Sequence, residues 1–258
     1  MIEVKNIYKS FASKQVLKGV STIFEQGKIH LIIGQSGSGK TVLLKSLVGL
    51  FTVDTGEISY NGVVFNRLSL KEQREIRKEM GMLFQGSALF DYLTVEQNVM
   101  FPLDMFTDMS FTDKLDRVNS CLQRVNLQNV NKLLPSELSG GMQKRVALAR
   151  AIVLNPKYLF CDEPTSGLDP KTATIIDNLI KEITEEYNTI TVVNTHDLNS
   201  VIEIGDKVLF IHDGYRWWEG AKDEVFFADN PELNRFIFAS KIARGAKEYK
   251  KISGKYPE

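Results

Sequence analysis

Gly34-Gln35-Ser36-Gly37-Ser38-Gly39-Lys40-Thr41 fits the pattern G-x-x-x-x-G-K-[ST], and its flanks supply the context that the pattern needs. The apolar run from Ile29 to Ile33 reads as a buried strand, and Val42 to Leu50 reads as an apolar-faced helix. The octapeptide therefore joins a strand to a helix N-terminus. Glycines at 34, 37 and 39 let the backbone turn tightly and aim its N-H groups inward, where the helix dipole adds partial positive charge. Such a loop is built to hold phosphate. Lys40 is placed to reach the β- and γ-phosphates, and the Thr41 hydroxyl to sit on a Mg2+ ion.

Upstream, Ile2 to Ile7 and Val16 to Phe24 alternate apolar and polar residues and read as antiparallel strands, with Gly27 ending the second. Tyr8 and Phe11 fall between them, where an aromatic face can either stack on a purine or cover the small sheet. Downstream, Asn61-Gly62 separates the β runs Ile58 to Tyr60 and Val63 to Phe65, a hairpin signal. Ser69 to Lys78 reads as a charged helix. The short apolar run Gly81 to Phe84 ends at Gln85, an uncharged amide at a strand tip. Thr94 caps a helix expected to run through Met100, with Pro102 just beyond, and Asp113 to Leu127 continues with helical spacing.

Leu138-Ser139-Gly140-Gly141-Met142-Gln143 precedes a helix expected from Lys144 to Leu154, and offers free N-H groups to an anion. Tyr158 to Cys161 is an apolar strand that ends in Asp162-Glu163, where an α/β sheet places ligand chemistry. Pro170 suits the first turn of the next helix. A further strand, Thr189 to Asn194, ends at Thr195-His196-Asp197, and His196 at that edge is a candidate for acid-base or phosphate contact. Val208 to Ile211 and Tyr215 to Trp218 make a closing hairpin in which Trp217 and Trp218 serve packing. Glu232 to Ser240 reads as an amphipathic helix. Lys241 to Glu258 is a polar, mildly basic tail, read as a solvated or frayed end, with an anionic-lipid or partner contact as the other reading.

Composition narrows the classes. The 258 residues are 43% hydrophobic, enough for one large α/β domain or two smaller lobes sharing a core. Lys plus Arg and Asp plus Glu both total 32, so no net field points to nucleic acid. Cys121 and Cys161 are the only cysteines and have neither metal-ligand nor disulfide-framework spacing, which fits a reducing cytosolic setting. The start, Met-Ile-Glu-Val-Lys, has no signal pattern, and no apolar run approaches a membrane-spanning length.

With these stretches in order, the chain resembles the ATP-binding subunit of an ATP-binding cassette (ABC) transporter along nearly its whole length. Gly34 to Thr41 looks like the Walker A loop, Gln85 the Q-loop, and Leu138 to Gln143 the signature motif. Tyr158 to Glu163 is similar to a Walker B strand with its terminal glutamate, Ser166 to Asp169 to a D-loop, and His196 to the switch histidine. The resemblance implies an α/β P-loop NTPase fold: a RecA-like core with a mostly parallel sheet, an N-terminal antiparallel β subdomain and a helical subdomain at about 90–155. Residues 1–240 would form one ATPase domain, and 241–258 the tail.

The resemblance also implies the roles. ATP and Mg2+ would be the ligands. Phe11 would stack on adenine, with Tyr8 the lesser candidate, and Gly34, Gln35, Ser36, Gly37, Ser38, Gly39, Lys40 and Thr41 would hold the phosphates. Thr41, Gln85 and Asp162 would coordinate Mg2+. Glu163 would act as general base, with His196, Gln85 and Lys40 completing the catalytic set. Ser139, Gly140 and Gly141 would address the nucleotide of a second copy, which makes the working unit a homodimer. The implied partner is a membrane permease gripped beside the Q-loop by Phe84, Leu89, Phe90 and Tyr92, with the ATPase peripheral on the cytoplasmic face of the membrane.

Met82 to Asp91, reading Met-Leu-Phe-Gln-Gly-Ser-Ala-Leu-Phe-Asp, then Leu93-Thr-Val and Asn98-Val, looks like the Mce-associated, Mla-like phospholipid transport ATPases. That resemblance implies an Mce-type substrate-binding protein as a further partner. The signature also resembles osmoprotectant and amino-acid importers. Methionine-type importers usually add a regulatory C-terminal domain, for which the stretch after Ser240 is short. A DNA-repair or translation-factor ABC ATPase would need an insertion or a second cassette, and neither is visible.

Overall fold

The computed structural model describes residues 1–238 of the chain; the tail at 241–258 and the end of the helix expected to reach Ser240 lie outside the described residues. Two sheets share the load. A four-stranded antiparallel sheet has the order β2-β1-β4-β5, from β1 (Ile2–Phe11), β2 (Lys14–Phe24), β4 (Thr55–Tyr60) and β5 (Val63–Val64). A six-stranded sheet runs β10-β9-β3-β8-β7-β6: β3 (Ile29–Ile33), β6 (Met80–Leu83), β7 (Tyr158–Asp162), β8 (Ile190–Asn194), β9 (Lys207–His212) and β10 (Tyr215–Ala221). All neighbours in it are parallel except the edge pair β9 and β10.

β3, β7 and β8 are buried at every residue, as mostly apolar strands in a parallel sheet should be when both faces are covered. Alternate side chains serve two cores. Leu31, Leu159, Val193 and Phe210 join one cluster, whereas Ile32, Phe160, Val192 and Leu209 join the other. The second cluster packs on α1 (Lys40–Leu47) and the small sheet, and includes Leu43, Leu47, Ile2, Leu17 and Val20. The first packs on α3 (Val95–Phe106), α4 (Phe111–Arg124), α5 (Gly140–Ile152) and α6 (Pro170–Tyr187). The remaining helices are α2 (Leu70–Arg77), α7 (Leu198–Glu203) and α8 (Pro231–Ile237). None of the helices among the described residues is long and apolar enough to cross a membrane.

Several element boundaries differ from the sequence reading, each for a physical reason. Tyr8 and Phe11 lie inside β1, not between strands, because β1 stays paired with β2 as far as Phe11 opposite Lys14. α1 starts inside the phosphate motif at Lys40 and stops at Leu47. β5 ends at Val64, and Phe65 turns into a short 3-10 segment with its ring buried. α3 passes through Pro102 to Phe106: proline forfeits one backbone bond, but Val95, Val99, Met100 and Leu103 are all buried, and that packing prevails. α5 begins at Gly140 rather than Lys144. The Ser139 hydroxyl caps it by accepting from the Met142 N-H, and a Cβ on Gly141 would meet Thr172 Cγ2 at 2.5 Å. Trp218 is partly buried against the core, whereas Trp217 is 44% exposed and meets His212 edge-on at 5.3 Å.

One buried acid bears on stability. Asp177 on α6 accepts from the Ser200 hydroxyl at 2.7 Å, and its other carboxylate oxygen has no partner. Burial pushes its carboxyl from the ordinary 3.8 up to about 6, against the Ser200 hydrogen bond. A raised folded-state pKa contributes stability that is complete below pH 3.8 and lost as pH climbs through 6. Asp177→Asn should therefore gain stability relative to the parent by up to about 3 kcal/mol between pH 4 and 7. Urea titrations of both chains across that range check the sign; a difference independent of pH would refute it.

Candidate active site

The C-terminal edges of β3, β7 and β8 lie side by side, and the loops that leave them build the site. Backbone geometry explains the glycines of the first loop. Gly39 has φ 111°, and a Cβ there would lie 3.0 Å from both the Val16 carbonyl and Leu17. A Cβ on Gly34 would lie 2.2 Å from the Ile211 carbonyl oxygen. The two-residue turn Asp213-Gly214, with φ 48° and 83°, braces the loop from the side, because the Gly214 N-H donates to the Ser38 carbonyl at 3.1 Å.

Lys40 is 5% exposed and folds back over the loop, donating to the carbonyls of Gly34 at 2.9 Å and Gln35 at 3.0 Å. Burial pulls its ammonium below the usual lysine range, while Glu163 and Asp162 pull the other way. The Ser38 hydroxyl is buried with no partner. An orphaned donor and a cation parked on carbonyls beside a helix N-terminus fit an anion with several acceptor oxygens.

Asp162 ends β7 and is 3% exposed. Its Oδ1 accepts from the Thr41 hydroxyl at 3.2 Å and from Asn194 Nδ2 at 2.6 Å, and the same Asn194 amide also donates to Thr41 Oγ1 at 3.0 Å. Hydroxyl and carboxylate oxygens gathered at a phosphate loop are the hard donor set that suits Mg2+. Glu163 follows in a left-handed conformation, φ 48°, with its N-H on the Asn194 carbonyl at 2.8 Å. That turn directs its carboxylate toward His196, whose Nδ1 lies 3.1 Å from Glu163 Oε2. Asp197 is the N-cap of α7, accepting from the Asn199 N-H at 2.9 Å, so the histidine sits on a fixed helix entry.

The structure thus gathers Lys40, Thr41, Asp162, Glu163 and His196. Gln85 is tied to this group only by way of Lys144, whose Nζ donates to the Gln85 carbonyl and to the Glu163 carbonyl, and among the described residues no hydrogen bond joins Gln85 itself to Thr41 or Asp162. Gln35, Ser36 and Gly37 are exposed at the loop's tip. Phe11 ends β1 at 40% exposure, edge-on to Phe51 at 5.1 Å with the Lys9 ammonium 5.1 Å from its ring centre. Ser139 and Gly140 are exposed at the start of α5, and among the described residues none of the hydrogen bonds of Ser139 to Gly141 reaches residues 34–41.

Beside the site, a groove of about 300 Å3 is lined by Phe84, Phe90, Phe101, Pro102, Phe106 and Arg150, among others. Of the residues expected to line or border it, Leu89 packs against the core instead, and Tyr92 stands at the margin, 78% exposed with its ring 6.0 Å from that of Phe90. Three site residues escaped the sequence reading: Asn194, Lys144 and Arg150. Asn194 is the last residue of β8, and a polar residue ending a mostly apolar strand was the one available signal.

The ABC transporter family profile matches residues 17–166 of this chain. The methionine import ATP-binding protein MetN of Campylobacter jejuni is 38% identical over 253 residues, covering 92% of this chain and 75% of that protein. Protein TRIGALACTOSYLDIACYLGLYCEROL 3, chloroplastic, of Arabidopsis thaliana is 38% identical over 261 residues, covering 93% and 74%. Among solved structures, the dimeric bacterial ABC transporter cassette MJ0796 superposes with a TM-score of 0.80 at 33% identity, covering 86% of this chain and 99% of that one. The same cassette is also known as a post-hydrolysis dimer bound to ADP and Pi. Clostridium perfringens cbiO1, part of the ABC transporter complex cbiONQ, gives a TM-score of 0.81 at 26% identity, with 96% and 98% covered.

Proposed function

Because the chain belongs to the ABC transporter family as an ATP-binding cassette that hydrolyses ATP, we propose that it drives a phospholipid transporter as a homodimer seated on the cytoplasmic face of a membrane permease. Residues 1–240 act as one cassette in this reading. The observation that carries the lipid assignment is the segment Met82 to Asp91 with the aromatic groove behind it, supported by similarity to a relative whose own name contains a galactolipid. Phe84 and Phe90 on that groove, bordered by exposed Tyr92, offer an apolar seat to a permease helix.

The loop amides, Ser38 and Lys40 hold the phosphates, and Phe11 stacks on the base. Thr41, Asp162 and Gln85 hold Mg2+, which when bound neutralises charge on the transferring phosphoryl group. Glu163 takes the proton of the attacking water, and His196, paired with it, fixes the line of approach. Ser139 and Gly140, which are exposed, and Gly141 beside them, all apart from their own phosphate loop, close the site of the second copy; the dimeric form of the similar cassette MJ0796 supports this.

A second reading, import of an amino acid, is favoured by the MetN similarity at 38% identity. Depleting the protein in its host decides between them. Altered membrane phospholipid composition by lipidomics with unchanged uptake of labelled methionine is the expected result. Lost methionine uptake with normal lipids would overturn the lipid assignment.

A further inference from the structure

Two cations on α5 hold the chain that leaves β6. Lys144 is 4% exposed, and its Nζ donates to the Gln85 carbonyl, with the Phe84 carbonyl at 3.5 Å and the Glu163 carbonyl at 3.4 Å. Almost two turns along, the Arg150 guanidinium donates to the Ala88 carbonyl at 2.8 Å and the Ser87 carbonyl at 2.9 Å, with its carbon 6.0 Å from the Phe90 ring centre. The intervening backbone is strained. Ser87 and Ala88 are consecutive non-glycine residues with φ 61° and 50°.

That strain has a cause. Left-handed turns at 87 and 88 turn carbonyls toward α5, where Arg150 donates to both. An ammonium as deeply buried as Lys144 is costly unless several oxygens surround it. Here three carbonyls do so, and Asp162 and Glu163 add favourable charge. Lys144 thus hydrogen-bonds both the segment beside the groove and the backbone of Glu163. It also sits on the helix that starts at Ser139.

We propose that Lys144 is a positioning residue for Glu163, and that Lys144 and Arg150 together clamp residues 84–88 onto α5. The segment beside the groove, the Glu163 backbone and the helix facing the second copy then move as one body. The proposal rests on the reading of Glu163 as the base. A push on Phe84 or Phe90 passes through the lysine to Glu163, by a route that does not require the sheet to bend.

Steady-state MgATP hydrolysis by the full-length chain tests it, with Lys144→Met, Lys144→Arg and Arg150→Met assayed beside Glu163→Gln. A small displacement of a catalytic group can cost about a hundredfold, so Lys144→Met should lower kcat by about 10- to 100-fold. Its KM for ATP should stay within about twofold, because the lysine reaches no part of the phosphate loop. Lys144→Arg keeps the charge and should recover part of kcat. Arg150→Met should lower kcat less, and should speed amide exchange at residues 84–88. A kcat for Lys144→Met within about twofold of the parent, or a raised KM at unchanged kcat, would overturn the positioning role. If Lys144→Met does not fold, unchanged amide exchange in Arg150→Met overturns the clamp. Normal turnover by Glu163→Gln would instead fault the underlying reading of the base.

Discussion

Glu163→Gln is expected to lower ATP turnover by about 10²- to 10⁴-fold, the usual contribution of a positioned general base, while ATP binding persists. The amide matches the carboxylate in shape, so the left-handed turn at 163 and the bond from its N-H to the Asn194 carbonyl should survive. What disappears is the proton acceptor held 3.1 Å from His196. In the proposed homodimer, where nucleotide closes the site and its hydrolysis reopens it, binding without turnover should accumulate the closed form. Gel filtration with MgATP should show the variant shifting to twice the parent's mass, and a phosphate-release assay reads the turnover. Unchanged steady-state turnover would remove Glu163 from the role of base.

Lys40→Ala should produce the complementary defect, a loss of ATP affinity. Charge-assisted hydrogen bonds contribute about 1.5–3 kcal/mol, so the dissociation constant should rise by about 10- to 150-fold. In this structure the ammonium is already desolvated and lies on the Gly34 and Gln35 carbonyls. Burial has pulled its proton affinity down, and a phosphate anion would restore it. The loop should keep its form without the lysine, since the Gly214 N-H still holds Ser38 and the Ser38 N-H still reaches the Gln35 carbonyl at 3.2 Å. Calorimetric titration with ATP measures the effect; an unaltered dissociation constant would count against phosphate contact by Lys40.

The contrast between these residues and those missed shows what a sequence can carry. Gly34 to Thr41 was legible because its function is local: loop, cation and hydroxyl occupy consecutive positions. The run Ile29 to Ile33 was legible to the residue, since a strand buried on both faces announces itself by apolarity broken here only by His30. Lys144 was not, because its partners lie at positions 85 and 163 and nothing about a lysine after two glycines signals that meeting. Pro102 misled for the converse reason. A local rule against proline gave way to the burial of Val99, Met100 and Leu103, which only the packed helix layer supplies. Gly140 and Gly141 read as loop because glycine is a poor helix former, yet Thr172 leaves no room for a larger residue at 141.

The pairing of Asp162 with Asn194 has a consequence outside catalysis. Leu159, Phe160 and Cys161 on β7 and Ile190, Val192 and Val193 on β8 put apolar groups on both faces, so apolar burial by itself does little to forbid a one-residue slide. Asp162 and Asn194 stand directly opposite each other in the ladder, and their side chains share a buried hydrogen bond. A slip would strand both polar groups in the dry interior. The pair serves as an alignment mark for the central strands, and the register of the chain is written at the same edge where the proposed function seats the nucleotide.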